Sequence, residues 1–290
     1  MFCRIILRKT VSHFCWKCSR CIRTGANAMA DDDRPHQTLL HRLGGATYAA
    51  ARPVLRHVAD TLFPATCIGC RIHVSQPGTL CPQCWSGLRF IERPYCPVLG
   101  TPFGHDFGDH FLSAEAIADP PSFRRLRSAV LHRGAAQRMA VSLKFHDRTD
   151  LAPWMARWMQ RAGRELLEEC EVVLPVPLHR WRFWRRRFNQ SAELARVLAR
   201  LENRPFAPQA LKRIRRTEQQ VGLGAKERKR NVDGAFRVPK EHEIHISGRR
   251  VLLIDDVYTT GATVKAATRA LLRGGAKSVD VLTFSRVLPD

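Results

Sequence analysis

The stretch VLLIDDVYTTGATV, residues 251–264, decides the fold of this chain. Val251 to Ile254 is an apolar, β-branched run that, closed by Asp255, reads as a buried strand. From Ala262 to Leu272 the residues Val264, Ala267 and Leu271 recur at helical spacing, and Gly274 and Gly275 stop that helix. The strand therefore delivers Asp255 and Asp256 to its carboxyl end. Thr259, Thr260, Gly261, Ala262 and Thr263 then form a hydroxyl-rich turn on a helix N-terminus. Backbone amides and the positive end of a helix dipole suit a phosphate. Carboxylates accept hydrogen bonds from sugar hydroxyls or hold a hydrated divalent cation. A phosphorylated ribose uses both halves. Simple capping of the helix by Asp256 and Thr259 or Thr260 accounts for one acid and one hydroxyl, not for the whole motif.

Around that unit the pattern alternates between strand and helix. Arg127–His132, Val172–Val176 and Ser278–Phe284 have strand character. Ala135–Phe145, Asp150–Glu169 and Ser191–Leu201 have helical spacing. Leu151, Trp154, Trp158, Leu166 and Leu167 mark the apolar side of the second helix, and Leu194, Leu198 and Leu201 that of the third. The two tryptophans read as core. Such alternation specifies an α/β fold, a parallel sheet flanked by helices, whose ligands bind at the carboxyl ends of the strands.

A second ligand edge follows Val172–Val176. In LPVPLHRWRFWRRRFNQSAELA, residues 174–195, Pro175 and Pro177 stiffen a turn. Arg180, Arg182, Arg185, Arg186 and Arg187 come next, and Asn189, Gln190 and Ser191 are expected to cap the following helix. Guanidinium forks match phosphate oxygens bidentately, so these arginines suit a pyrophosphate cradle. A solvated basic face is the competing reading. The interleaved Trp181, Phe183, Trp184 and Phe188 also suit bases of single-stranded DNA. Between Leu211 and Phe236 stand eight Lys and Arg residues, with Gly222 and Gly224. That stretch is read either as a mobile flap closing over a pyrophosphate or as a contact to nucleic-acid phosphates.

Ten cysteines could suggest disulfides, but Cys67-Ile-Gly-Cys70 and Cys81-Pro-Gln-Cys84 have zinc-ribbon spacing. Four thiolates close a tetrahedral shell, so the zinc is expected to be structural and the compartment reducing and cytoplasmic. The formal net charge of +22 argues for phosphorylated or polyanionic partners. Hydrophobic residues make up 44% of the chain, enough for a core, and no apolar run reaches the length of a membrane span. Residues 1–40, Arg-rich at the start, are expected to be disordered or to include an overlong start before Met29. Residues 41–62 read as an amphipathic helix, 63–103 as the zinc ribbon and 122–290 as the α/β domain. The Gly-, Pro- and Asp-rich stretch between Pro94 and Pro121 reads as a loop or boundary, with His105 and His110 solvated.

The 251–264 segment resembles the signature of the type I phosphoribosyltransferases, which bind 5-phosphoribosyl-1-pyrophosphate. That resemblance implies a type I phosphoribosyltransferase-like sheet in which Asp255 and Asp256 contact the ribose 2- and 3-hydroxyls and residues 259–263 hold the 5-phosphate. Four stretches extend it: the two C-x-x-C pairs, LHRGAAQRMAVSLKFHDRTDLA (131–152), PVPLHRWRFWRRRFNQS (175–191) and TEQQVGLGAKERKRNVDGAF (217–236). With VLLIDDVYTTGAT they make the chain, from about Phe63 onward, similar to the ComF family of competence-associated proteins. The resemblance implies a zinc ribbon joined to a phosphoribosyltransferase-like domain and a link to DNA uptake. Two departures stand out: Arg187 replaces a glycine frequent in the family, and a third C-x-x-C pair survives only as Cys96, with Leu99 at the partner position. If the chain is an enzyme, pyrophosphate is displaced from C1 of the donor with Mg2+ present, but no residue reads as the acceptor's general base. A nucleotide sensor without turnover and a single-stranded-DNA-binding factor stay open, as do competence-machinery partners and homo-oligomerisation.

Overall fold

A computed structural model describes residues 64–145, 148–178, 188–215 and 234–288. The expected helix over 41–62 and the segment 1–40 lie outside the described residues. Two short helices come first, α1 (Pro82–Ser86) and α2 (Ala114–Ala118). The α/β part then runs β1 (Leu126–Leu131), α3 (Gly134–Phe145), α4 (Ala152–Ala162), α5 (Arg164–Glu169), β2 (Val172–Pro175) and α6 (Gln190–Leu201). A two-residue pair, β3 (Lys212–Arg213) with β4 (Phe236–Arg237), precedes β5 (Arg250–Tyr258), α7 (Ala262–Arg273) and β6 (Ser278–Arg286).

The four long strands form one sheet in the order β1-β6-β5-β2, every pair parallel. Parallel strands need crossover connections, which the helices supply, and both faces of the sheet are consequently buried. Val251, Leu253, Val279 and Val281 face a core shared with α7. Leu252, Ile254, Leu282 and Phe284 face the opposite core, shared with α3, α4 and α6. Each such aliphatic side chain, fully removed from water, contributes about 1.5–3 kcal/mol. Both sheet edges are closed by backbone pairing. The Ile91 amide donates to Ala129 O (3.0 Å) and the Leu131 amide to Arg89 O (2.8 Å) beside β1. Beside β2, the Val173 amide donates to Pro205 O (2.9 Å) and the Ala207 amide to Val173 O (3.1 Å).

Three expectations are corrected. The single helix expected over Asp150–Glu169 is a 3-10 turn (Thr149–Leu151), then α4 and α5, broken at Gly163. A Cβ at Gly163 would meet Leu282 Cδ1 at 2.6 Å, so close approach to β6 requires glycine, and the chain bends there. The buried face of α4 is Met155, Ala156 and Met159; Trp154 and Trp158 flank it half-buried, Trp158 stacking on Phe284. Leu201 of α6 is exposed, although Leu198 and Ala199 in the same turn are buried, so the apolar face of that helix ends at Ala199. The stretch expected to be a loop between Pro94 and Pro121 carries α2 and buries Cys96, Leu99 and Ala116. His105 and His110 within it are exposed.

Candidate functional site

The strand carrying the acid pair continues past Asp255 to Tyr258, level with Arg286 of β6. Its alternation reverses across the acids: Val251 and Leu253 belong to the α7 side, yet Val257 packs on the other side and Tyr258 returns to the α7 core. At that point the acids bond their own backbone. Asp255 Oδ1 accepts the Asp256 amide (3.0 Å) and Asp256 Oδ1 accepts the Val257 amide (2.9 Å). These local bonds leave the register with β6 unbroken, from Arg250 opposite Ser278 to Tyr258 opposite Arg286.

Asp255 is also reached from α6, where the Ser191 hydroxyl donates to Oδ1 at 2.8 Å. Burial first, and then the charge of Asp256, push the Asp255 carboxyl up to about 8, while the Ser191 hydrogen bond pulls it down. The expected cap therefore divides its labour: Asn189 alone caps α6, Gln190 donates to Lys144 O (3.4 Å), and Ser191 serves the acid. At the end of β1, His132 sets Nδ1 2.9 Å from Ser285 Oγ. Burial lowers its pKa, and the charge of Asp256 raises it in part. His132 lines a cavity of about 170 Å³ with Leu131, Arg133, Arg286 and Val287.

Beyond Tyr258 the chain turns into α7. Gly261 is its N-cap at φ +71°, and no side chain among the described residues caps the helix. The capping alternative is thus not what the hydroxyls do. The first-turn amides of a helix lack intrahelical partners, and the buried Thr260 Oγ1 has no hydrogen-bond partner among the described residues. Thr259 is exposed, Gly261 buried, and Ala262 and Thr263 half-buried. Underneath, a Cβ on Gly261 would meet Tyr258 Oη at 2.5 Å. The Arg286 guanidinium lies 5.3 Å from the Tyr258 ring centroid and donates to Leu99 O at 2.6 Å, and Lys265 of α7 pairs with Asp119 at 2.7 Å.

Arg180, Arg185, Arg186 and Arg187 lie outside the described residues, but both flanks of their loop are anchored at the acids. The Val176 amide donates to Ile254 O at 2.8 Å, and Ser191 holds Asp255. Residues 216–233 likewise lie outside; their flanks join in β3–β4, where the Ile214 amide donates to Ala235 O (2.8 Å).

The cysteines converge as their spacing suggested. The sulfurs of Cys67, Cys70, Cys81 and Cys84 all lie within 4.8 Å of one another. Amides of Gly69 (3.3 Å) and Cys81 (3.2 Å) donate to Cys67 Sγ, and that of Cys84 to Cys81 Sγ (3.3 Å). Burial raises the Cys67 thiol, but the amides of Cys81, Cys70 and Gly69 and the Cys70 thiol outweigh it and bring it down to about 6, whereas burial pushes the Cys84 thiol up to about 12. Arg138 of α3 donates to Cys84 Sγ (3.3 Å) and Gly69 O (3.2 Å). Donors aimed at sulfur favour thiolates, and a closed thiolate quartet fits a structural zinc. Sequence spacing revealed neither Arg138, Ser191 nor His132 as neighbours of these sites, because each is brought there by a distant element.

Two family models match the chain. Residues 58–117 match the "Double zinc ribbon domain" family and residues 197–287 the "Phosphoribosyl transferase domain" family. An orotate phosphoribosyltransferase from Aeropyrum pernix aligns at TM-score 0.29 and 16% identity, over 55% of this chain and 80% of that one. The molecule is a zinc-ribbon protein with a type I phosphoribosyltransferase-like domain. DNA utilization protein YhgH of Escherichia coli (strain K12) is 32% identical over 231 residues, covering 78% of this chain and 98% of that protein. Competence protein F of Haemophilus influenzae is 29% identical, covering 77% and 98%. The chain belongs to the ComF family of competence proteins. Among the described residues, no helix is long and apolar enough to cross a membrane.

Proposed function

We propose that this protein binds 5-phosphoribosyl-1-pyrophosphate with Mg2+ at the carboxyl edge of β5 and transfers the phosphoribosyl group to a nitrogen of a base or amine, in the service of DNA uptake. One juxtaposition carries the reading. An acid pair stands directly before a helix N-terminus that no described side chain caps, with the buried Thr260 hydroxyl unpartnered beside it among the described residues. Asp255 and Asp256 receive the ribose hydroxyls; cationic charge brought with the donor draws the raised Asp255 carboxyl back to its ionised form, in which the pair favours positive charge developing at C1. Thr259, Thr260, Gly261, Ala262 and Thr263 take the 5-phosphate, fixing orientation remotely from the bond that breaks. Arg180, Arg185, Arg186 and Arg187 hold the pyrophosphate; Mg2+, held beside Asp255 and Asp256 when bound, would supply neutralisation of the leaving charge. The C1–O bond to pyrophosphate breaks as the C1–N bond forms.

Calorimetry with the donor and Mg2+ tests it. Wild type is expected to bind with a dissociation constant on the order of micromolar, and Asp255→Ala with Asp256→Ala to show no binding. Full-strength binding by the double variant removes the assignment.

A second reading rests on the net charge of +22 and on the aromatics among Arg180–Arg187: single-stranded DNA as a ligand, without turnover. The salt dependence of oligonucleotide binding decides it. Changing Arg185, Arg186 and Arg187 to Ala should flatten the slope by about 0.7 for every DNA phosphate that these side chains neutralise. An unchanged slope excludes these arginines as DNA contacts.

A further inference from the structure

The first ribbon has a hydrogen-bond signature that recurs, residue for residue, in a second place. In its first knuckle the Cys67 amide donates to Ile72 O (2.7 Å), the Arg71 amide to Cys67 O (2.9 Å) and the Val74 amide to Ala65 O (2.9 Å). Around Cys96, the Cys96 amide donates to Thr101 O (2.8 Å), the Gly100 amide to Cys96 O (2.7 Å) and the Phe103 amide to Pro94 O (2.9 Å). The turn residue after each knuckle is left-handed, Arg71 at φ +68° and Gly100 at φ +59°. Bridges close the two hairpins at matching places, Thr66 with His73 and Tyr95 with Pro102.

The second halves match as well. Cys81 caps the five-residue helix α1, its amide donating to Cys67 Sγ (3.2 Å) and its sulfur accepting from the Cys84 amide (3.3 Å). Ser113 caps the five-residue helix α2, its amide donating to Cys96 Sγ (3.4 Å) and its hydroxyl accepting from the Ala116 amide (3.4 Å). Cys67, Cys70, Cys81 and Cys84 therefore correspond to Cys96, Leu99, Ser113 and Ala116. All four are buried, Cys96 and Leu99 at 0% exposure, Ser113 at 8% and Ala116 at 5%; Cys67, Cys81 and Cys84 are buried too, whereas Cys70, the counterpart of Leu99, is only half-buried.

We infer that residues 94–118 are a second zinc ribbon that keeps the fold of the first and has lost its metal, the place of the ion being taken by apolar packing. One thiol, one hydroxyl and two aliphatic side chains cannot form the closed N/S quartet that structural zinc needs. Leu99 and Ala116 instead join Phe123, Leu126 and Val281 in the core on the α7 side of the sheet. The emptied ribbon has gained another attachment. Leu99 O takes Arg286, and α2 presents Glu115 to the Tyr258 hydroxyl (3.5 Å), directly under the turn of Gly261. The double ribbon is thus double in backbone and single in metal.

Zinc content of the full-length chain tests this, in a background with Cys3, Cys15, Cys18 and Cys21 changed to serine so that only the ribbons report. The background should hold one zinc per chain by elemental mass spectrometry, and Cys96→Ala should hold one still. Leu99→Cys, Ser113→Cys and Ala116→Cys together should raise the content to two. Two zincs in the background, falling to one with Cys96→Ala, overturn the inference. So does a folded triple variant that holds only one, since the backbones would then not be equivalent. If the triple variant does not fold, the Cys96→Ala comparison decides alone.

Discussion

Gly261 combines two demands that only glycine meets. Its φ is +71°, and the space a Cβ would fill belongs to Tyr258, itself 1% exposed. Gly248 offers the control: φ +68° with nothing within 4 Å. Gly248→Ala should cost about 1 kcal/mol, the left-handed penalty alone, and Gly261→Ala about 3 kcal/mol through added overpacking. Chemical denaturation measures both; equal losses would mean that the tyrosine yields freely. Asp255 gives a pH-dependent counterpart. Its carboxyl rises from 3.8 to about 8 in the fold, so the folded chain favours the protonated form. That contribution is complete below about pH 4 and is lost as pH climbs through 8. Asp255→Asn, which never ionises, should therefore stabilise the protein by about 2 kcal/mol at pH 9 and hardly at all at pH 4. Equal stability of variant and parent at pH 9 would show that the acid carries no such strain. At this scale the sequence was most readable where chemistry is local. Two C-x-x-C pairs and an acid pair beside hydroxyls can be recognised without knowing the fold. Ser191 could not, since its use depends on where α6 begins relative to β5.

Elements were legible where the apolar period was strong, and misread where a neighbour from elsewhere interrupts it. The helix expected over Asp150–Glu169 breaks at Gly163, where the packing of Leu282 of β6 leaves no room for a side chain. The strand through Asp255 runs on to Tyr258 because β6 keeps pairing with it. No window of sequence contains those partners. Arg138 illustrates the same dependence in the zinc site: α3 follows the ribbon by some distance in the chain yet holds a ligand sulfur and a knuckle carbonyl. Arg138→Met keeps the bulk and removes the donors. Zinc affinity, read by competition with a chromophoric chelator, should fall about 10–100-fold. Undiminished affinity would relegate the guanidinium to a bystander.

At the scale of the molecule, each face of the sheet has its own ribbon beneath it. The metal-bearing quartet belongs to the core with α3, α4 and α6, and the emptied one to the core with α7. The class of architecture was readable from the alternation of strand and helix, whereas this division was hidden. The pairing of Cys96 with Ser113 has no spacing rule, and only the repeated hydrogen bonds disclose it. The sheet margins carry a consequence for association. Arg89–Ile91 occupy the outer side of β1, and Pro205–Ala207 that of β2. Among the described residues, the middle of each border strand already has a backbone partner, which a neighbouring copy adding a strand there would have to displace. Strand addition at those two places therefore carries the cost of breaking existing backbone bonds, which disfavours fibre-like stacking there.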